Sequence, residues 1–333
     1  MSRTLVTVVT ISYNKFDKLF DNIKSVLSQD YPDIEYIIAD DGSTDFPKDQ
    51  VIEFVNMHRK SNIRNVKYMF NAINVGTVRN LNRAYRNADG EILIPLSADD
   101  VFINETSVSR IKNCFDDSNF DVICGARLVC NQKDMMSYLY PHILNRKKIK
   151  ALCTSKKQYY ALLTGQFYNA LSGSSLYIKK KLFDKYGGFD ENYILWEDSP
   201  FMLNITRNGE TIGLFENLIT IRYSICGVST DNINPLYVKD KTMYLDNIMQ
   251  HIHEYPAKVQ RIVLHNYKRK LCENRLSVFA LYLSDIDIIL NNLKNRALEK
   301  FYCVYDKYII DRYIDTKKTA QGRVYNENTI CNI

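Results

Sequence analysis

Across its first hundred residues the chain repeats one pattern: a short apolar run rich in Val and Ile, a polar cluster, then a stretch with helical spacing. The apolar runs fall at residues 5–11, 34–39, 66–70 and 92–96, the third weaker than the others. Continuous apolar runs suit strands buried on both faces of a parallel sheet. Between the first two, Phe16, Leu19, Phe20, Ile23, Val26 and Leu27 fall on one face of a helix that Asn14 is placed to cap. Residues 48–60 read as a second helix with Val51, Phe54 and Val55 inward, and residues 77–88 as a third, after Asn74-Val75-Gly76. Strand and helix in alternation predict an α/β fold whose mostly parallel, doubly wound sheet carries helices on both faces. Such sheets bind ligands beyond the carboxyl ends of their strands. Three polar clusters lie at those ends, Thr10 to Asn14, Asp40-Asp41 and Asp99-Asp100, and their shared position points to one site.

The middle of the chain is less regular. Residues 120–129 read as a strand, residues 142–160 are basic, and a further strand near 175–178 precedes Gly187-Gly188-Phe189-Asp190-Glu191. Trp196-Glu197-Asp198 opens a helix that runs to about residue 207. From about residue 236 the pattern is helical to the end, which places a boundary near 232–235 between residues 1–232 and a helical region, 233–333.

A length of 333 residues allows one large α/β domain with an appendage. With 44 Lys and Arg against 38 Asp and Glu, the net charge is +6. That excess suits phosphate-bearing ligands or an anionic membrane surface and falls short of a nucleic-acid footprint. The eight cysteines are scattered without a C-x-x-C pair, as buried thiols of a reducing compartment are. The N-terminal apolar run is too short for a signal peptide, and no stretch approaches the roughly 20 apolar residues of a spanning helix. The expected location is cytoplasmic, with peripheral attachment to a membrane left open.

The acidic clusters each have a chemical use and a plain one. Asp99-Asp100 on a strand-end loop suits a hard divalent cation that bridges and neutralises a diphosphate; Asp also favours turns and caps for local hydrogen bonding. Asp40-Asp41-Gly42-Ser43 offers an acceptor for the N3–H of a uracil ring, and equally makes a turn. Glu197-Asp198 offers a general base, and equally complements a helix dipole. Trp196 offers a sugar-stacking face or a core anchor.

Longer segments carry a resemblance. TVVTISYNK and SVLSQDYPDIEYIIADDGSTD, then NVGTVRNLNRAYRNADGEILIPLSADD, then GGFDENYILWEDSPF resemble, in order and spacing, glycosyltransferase family 2, whose fold is of the GT-A type. The resemblance covers roughly residues 5–230. It implies an inverting, metal-dependent enzyme that moves a sugar, a hexose or N-acetylhexosamine, from a nucleotide diphosphate donor to an acceptor hydroxyl. The donor is commonly a UDP-sugar, and the metal Mn2+ or Mg2+. Residues 1–100 then form the nucleotide-binding half and 101–232 the acceptor half, with a basic insertion at 142–160. The resemblance further implies that Thr10, Ile11 and Tyr13 wall the nucleotide. Asp41, with Asp40 beside it, would contact uracil, and Asn74 and Gly76 would flank the nucleotide. Asp99 and Asp100 match the acidic motif that binds metal and ribose, and Asp198, after Glu197, matches the catalytic base.

Two positions depart from the family pattern. Many members carry Asp-x-Asp where this chain begins with Ser97, and some carry a His two residues after an Arg in a late strand, where this chain has Ser224 after Arg222. The departures imply either weaker metal affinity or a larger share of the diphosphate charge for Arg222.

The expected acceptor is a glycan or a polyprenyl-diphosphate-linked oligosaccharide of surface polysaccharide synthesis. Arg146, Lys147, Lys148, Lys150, Lys156 and Lys157, and later Arg261, Lys268, Arg269, Lys294, Arg296 and Lys300, alternate with apolar residues. That pattern suits peripheral contact with the anionic inner face of a cell membrane; the other reading is a solvated helical cap of a soluble homo-oligomer. A nucleotidyltransferase on a related sheet would need a glycine-rich basic loop where Ser12-Tyr13-Asn14-Lys15 stand. A non-catalytic nucleotide-sugar binding protein would lack Asp198 or the Asp99-Asp100 pair. A processive synthase would bring spanning helices.

Overall fold

The computed structural model describes residues 4–130, 136–141, 151–165, 172–224, 234–271 and 285–320. Its strands are β1 (Val6–Ser12), β2 (Ile34–Asp40), β3 (Ile63–Phe70), β4 (Ile92–Ser97), β5 (Val101–Phe102), β6 (Val122–Cys130), β7 (Met136–Tyr140), β8 (Leu176–Lys179) and β9 (Gly213–Ser224). Its helices are α1 (Leu19–Leu27), α2 (Lys48–His58), α3 (Thr77–Arg86), α4 (Ser107–Asp116), α5 (Ser155–Leu163), α6 (Lys180–Lys185), α7 (Asp198–Arg207), α8 (Pro235–Gln250), α9 (Ala257–Leu271) and α10 (Ile286–Ala320). The strands form one 9-stranded sheet in the order β3-β2-β1-β4-β8-β6-β9-β5, with β7 paired to β6. Strands β3, β2, β1 and β4 are parallel, and β6 and β9 are parallel to each other. Strand β8 runs antiparallel between β4 and β6, and the short β5 runs antiparallel along β9.

The sheet divides the interior because successive side chains of a strand point to opposite faces. Val6 and Val8 of β1 pack with Ile34, Tyr36 and Ile38 of β2, under Leu19, Ile23 and Val26 of α1, Val51 and Val55 of α2, and Ile111 of α4. Val9 packs on the other face with Ile37 and Leu93, under Leu81 and Tyr85 of α3 and Phe201, Met202 and Ile205 of α7. The doubly wound α/β expectation holds. The same second core takes in Tyr244 and Ile248 of α8 and Val259 and Val263 of α9. Each such fully buried side chain contributes roughly 1.5–3 kcal/mol, so these helices are welded to the sheet.

Several local expectations change. Asn14 does not cap α1, which begins at Leu19 after Lys18. It stands in the left-handed region at φ 49°, which Asn tolerates, and its Oδ1 accepts from Thr44 N at 2.9 Å. Strand β3 begins at Ile63, because an edge strand need not be apolar throughout, and Arg64 and Asn65 stay exposed. Of the basic stretch 142–160, residues 142–150, with Arg146, Lys147, Lys148 and Lys150, lie outside the described residues; Lys156 and Lys157 are exposed on α5.

Candidate active site

Register brings the acidic clusters together. In the ladders Ser12 stands opposite Asp40, and Ile11 opposite Ser97. The segments that follow β2, β1 and β4 therefore leave one edge of the sheet, from strands about 4.8 Å apart. The ladder runs one step further: Asp41 N donates to Ser12 O and Ala98 N to Ile11 O, both at 2.9 Å.

Asp41 is buried and holds the loop after β3. Its Oδ1 accepts from Asn71 Nδ2 at 2.9 Å and Val75 N at 3.0 Å, and its Oδ2 from Gly76 N at 2.9 Å. Gly76 is required there: φ is +92°, and a Cβ would lie 2.7 Å from Ile194 Cγ2 and 2.9 Å from Ile194 O. Asn74 is exposed, and its Oδ1 also accepts from Gly76 N, at 3.0 Å. Asp40 turns to its own loop, where it accepts from Ser43 N at 2.8 Å and Ser43 Oγ at 2.5 Å. Ile11 is half-buried, while Tyr13 is 44% exposed at the mouth.

The loop carrying Asp99 and Asp100 is held from beneath by Asn22 of α1, a residue the sequence reading passed over. Asn22 is buried, and its Nδ2 donates to Ser97 O and Asp100 O, both at 2.7 Å. Its Oδ1 accepts from Thr10 Oγ1 at 2.7 Å, and Thr10 Oγ1 lies 2.8 Å from Tyr36 OH. The Thr10 expectation is thus corrected: its hydroxyl faces the interior and serves Asn22 instead of walling a nucleotide. Burial pushes the Tyr36 phenol up, the Thr10 hydrogen bond partly opposing it, so the phenol stays neutral in this network. A detectable signal existed, an Asn on the otherwise apolar inward face of α1.

Asp100 is 1% exposed and Asp99 half-buried. Among the described residues no three His, Cys, Asp or Glu side chains gather around one point. Two adjacent carboxylates fit a hard cation that completes its oxygen shell from a diphosphate and water.

Asp198 is the first residue of α7. Its Oδ2 accepts from Gly173 N at 2.7 Å and its Oδ1 from Ser199 N at 2.6 Å, which fixes the carboxylate's orientation. Gly173 opens the turn that leads into β8, beside β4, so this contact draws the acid to the same sheet edge. A Cβ on Gly173 would lie 2.7 Å from Glu197 Oε1 and 3.2 Å from Asp198 Oδ2. Glu197 keeps some surface along its length, but its carboxyl is enclosed. Burial, then the Asp198 charge and more weakly that of Asp240, pushes it up to about 8. Glu197 is therefore held protonated near neutrality.

The segment before Asp198 is fixed from α8. Asp240, buried, accepts through Oδ2 from Ile194 N at 2.9 Å, Leu195 N at 2.7 Å and Trp196 N at 3.1 Å. Nothing in the sequence around Asp240 signals this. Trp196 is 7% exposed, its ring 5.0 Å from Tyr244 and 5.6 Å from Tyr237. It is the core anchor, and the sugar-stacking expectation is set aside. Arg222 pairs through its backbone with Val101, and its side chain lies outside the described residues.

Comparison with known proteins agrees with this geometry. The profile described as Glycosyl transferase family 2 matches residues 7–184. An uncharacterized glycosyltransferase of Haemophilus influenzae is 20% identical over 309 residues, 92% of this chain and 88% of the relative. The poly-beta-1,6-N-acetyl-D-glucosamine synthase of Staphylococcus epidermidis is 24% identical over 57% of this chain, which spans only 43% of the synthase. Among solved structures, S. aureus TarS 1–349 in complex with UDP superposes with a TM-score of 0.56 at 17% identity, covering 83% of this chain and 75% of TarS 1–349. The mannosyltransferase PcManGT of Pyrobaculum calidifontis, solved with GDP-Man and Mn2+, gives 0.52 at 16% identity over 97% of this chain and 89% of its own. The fold is thus of the GT-A type, and the chain belongs to glycosyltransferase family 2.

Proposed function

We propose that this enzyme moves a sugar from a uridine diphosphate donor to an acceptor hydroxyl with inversion at the anomeric carbon. The observation that carries the reading is the convergence of Asp41, the Asp99-Asp100 loop and Asp198 on one sheet edge. The acceptor oxygen bonds to the anomeric carbon as the bond from that carbon to the phosphate oxygen breaks. The departing diphosphate keeps the electron pair, and Asp198 takes the acceptor proton. A Mn2+ or Mg2+ held by Asp99 and Asp100 would neutralise the charge growing on the leaving group. Of the roughly four acceptor directions of a carboxylate, three at Asp41 serve the loop after β3, and the fourth suits an imide N–H. Tyr13, Ile11 and Asn74 would border the ring, and Arg222 is the cation this reading assigns to the diphosphate charge.

TarS complexes with UDP and with UDP-GlcNAc, and the PcManGT complex with GDP-Man and Mn2+, support a nucleotide-sugar donor. A hexose or N-acetylhexosamine donor and a glycan or lipid-linked acceptor on the cytoplasmic side of a membrane complete the reading. The test is a panel of UDP- and GDP-sugars, scored for nucleotide diphosphate release with Mn2+, with Mg2+ and with chelator. Release from a UDP-sugar that needs the metal, and that the Asp99→Asn, Asp100→Asn double variant loses, is the expected result. No release from any donor, together with no UDP binding by calorimetry, would sink the reading; full activity in chelator would remove its metal part.

A further inference from the structure

Helix α10 has two apolar faces. Ile288, Tyr302 and Asp306 are buried, and the helix packs against β7. Ile286, Leu290, Leu293, Phe301, Val304 and Tyr308 are 55–69% exposed. At about 100° per residue these six fall within roughly 80° of arc, centred nearly opposite the buried side chains. Their stripe runs about 33 Å along the helix. Exposed Lys294 stands at one margin, and exposed Arg296 and Lys300 at the other. At the stripe's start Asp287 is engaged by Arg261 Nη2 at 2.5 Å, which offsets its charge.

We propose that this outward stripe of α10 is the surface on which the protein lies against an anionic bilayer, with the helix axis in the plane of the interface. Among the described residues no helix is long and apolar enough to cross a membrane. A contiguous apolar stripe of this length on a water-facing helix marks a binding surface. Leu, Ile, Phe, Val and Tyr enter the boundary between headgroups and acyl chains, while flanking Lys and Arg stems extend their charges to lipid phosphates. The margins also select against a second copy. Stripe packed on stripe sets Lys294 and Lys300 against each other or against themselves, like charges in either orientation. The inference needs no donor site, so it stands or falls apart from the reaction proposed above.

The experiment is co-sedimentation of the full chain with phosphatidylglycerol–phosphatidylcholine vesicles and with phosphatidylcholine alone, at low and high salt. The expected result is binding to the anionic vesicles that weakens with salt. Leu290→Gln, Leu293→Gln and Phe301→Gln together should cut the bound fraction by about tenfold or more, with circular dichroism and thermal unfolding unchanged. Lys294→Gln with Lys300→Gln should weaken binding and flatten its salt dependence. Undiminished binding by the triple variant overturns the proposal. So does a wild-type chain that ignores vesicles, whether light scattering shows a dimer that the triple variant splits, which would assign the stripe to a second copy, or a monomer, which would assign it to another segment of the chain.

Discussion

Asp41 and Asp100 sit on loops that leave β2 and β4, the parallel strands on either side of β1, within the first hundred residues, held by bonds to neighbouring strand ends and to Asn22. Asp198 is held instead by segments far from it in sequence, Gly173 before β8 and, through residues 194–196, Asp240 of α8. The proposed donor side is a by-product of the sheet: once the strands pair in register, its acids have nowhere else to go. The proposed base side is an assembly whose parts arrive separately, and each holding contact is a single buried hydrogen-bonding group. Damage should therefore differ in kind, graded on the donor side and abrupt on the base side.

The largest effect should come from the proposed base, Asp198. Asp198→Asn keeps the shape and removes the proton acceptor, so turnover should fall about 10²–10⁴-fold with UDP affinity unchanged. Loss of UDP binding along with turnover would make Asp198 a structural residue and dissolve the contrast between the two sides. Next, Asp240→Ala strands three backbone N–H groups and frees residues 194–196, so turnover should fall about 10–100-fold at constant donor KM. Asp240→Asn, which keeps an acceptor oxygen, should recover most of that loss. Hydrogen exchange should quicken at residues 194–196 in the Ala variant alone; unchanged exchange there would show that α8 does not hold the loop.

Asn22→Ala is the donor-side counterpart. Removing a group that orients a ligand loop weakens metal affinity about tenfold, read in a Mn2+ titration, while saturating metal restores turnover. A loss that no metal concentration repairs would mean that the donor side is as brittle as the base side.

The smallest effect concerns Glu197. Its folded-state carboxyl is raised from 4.5 to about 8, so the folded chain binds more protons than the unfolded one between those values. Stability should therefore be unaffected by this group below pH 4.5 and decline as pH rises from 4.5 toward 8. Glu197→Gln, a mimic of the protonated acid, should flatten that decline in urea unfolding and keep turnover near neutrality. An unchanged pH profile would show that Glu197 is not held protonated in the folded chain.

The same contrast decides what the sequence could reveal. β1, β2 and β4 announce themselves by continuous apolar runs, and their acids by following those runs, so Asp41, Asp99 and Asp100 were legible together. Asp198 was legible only through its motif, because its contacts to Gly173 and through Asp240 span distances that no periodicity records. Thr10 was misplaced because a threonine at a strand end can face either way, and only the buried Asn22 decides. Trp196 was ambiguous because both its uses want an aromatic ring beside the acid, and the choice is made by Tyr237 and Tyr244, two turns along another helix. β5 went unread because two residues are too few for a pattern.

The position of Asp240 also bears on how this chain can exchange parts with its kin. A cut near residue 232 separates the strands from the C-terminal helices in sequence, yet it leaves the proposed base on one side of the joint and the side chain that holds its loop on the other. A hybrid that joined residues 1–232 to another member's C-terminal helices would inherit every acid of the proposed reaction and should still bind UDP. It would transfer sugar only if the borrowed helix brought a carboxylate, or a carboxamide, to the three amides at 194–196. Grafts with and without such a residue, compared for UDP binding and for turnover, should therefore part company in turnover alone; equal turnover would mean that the two segments are interchangeable after all.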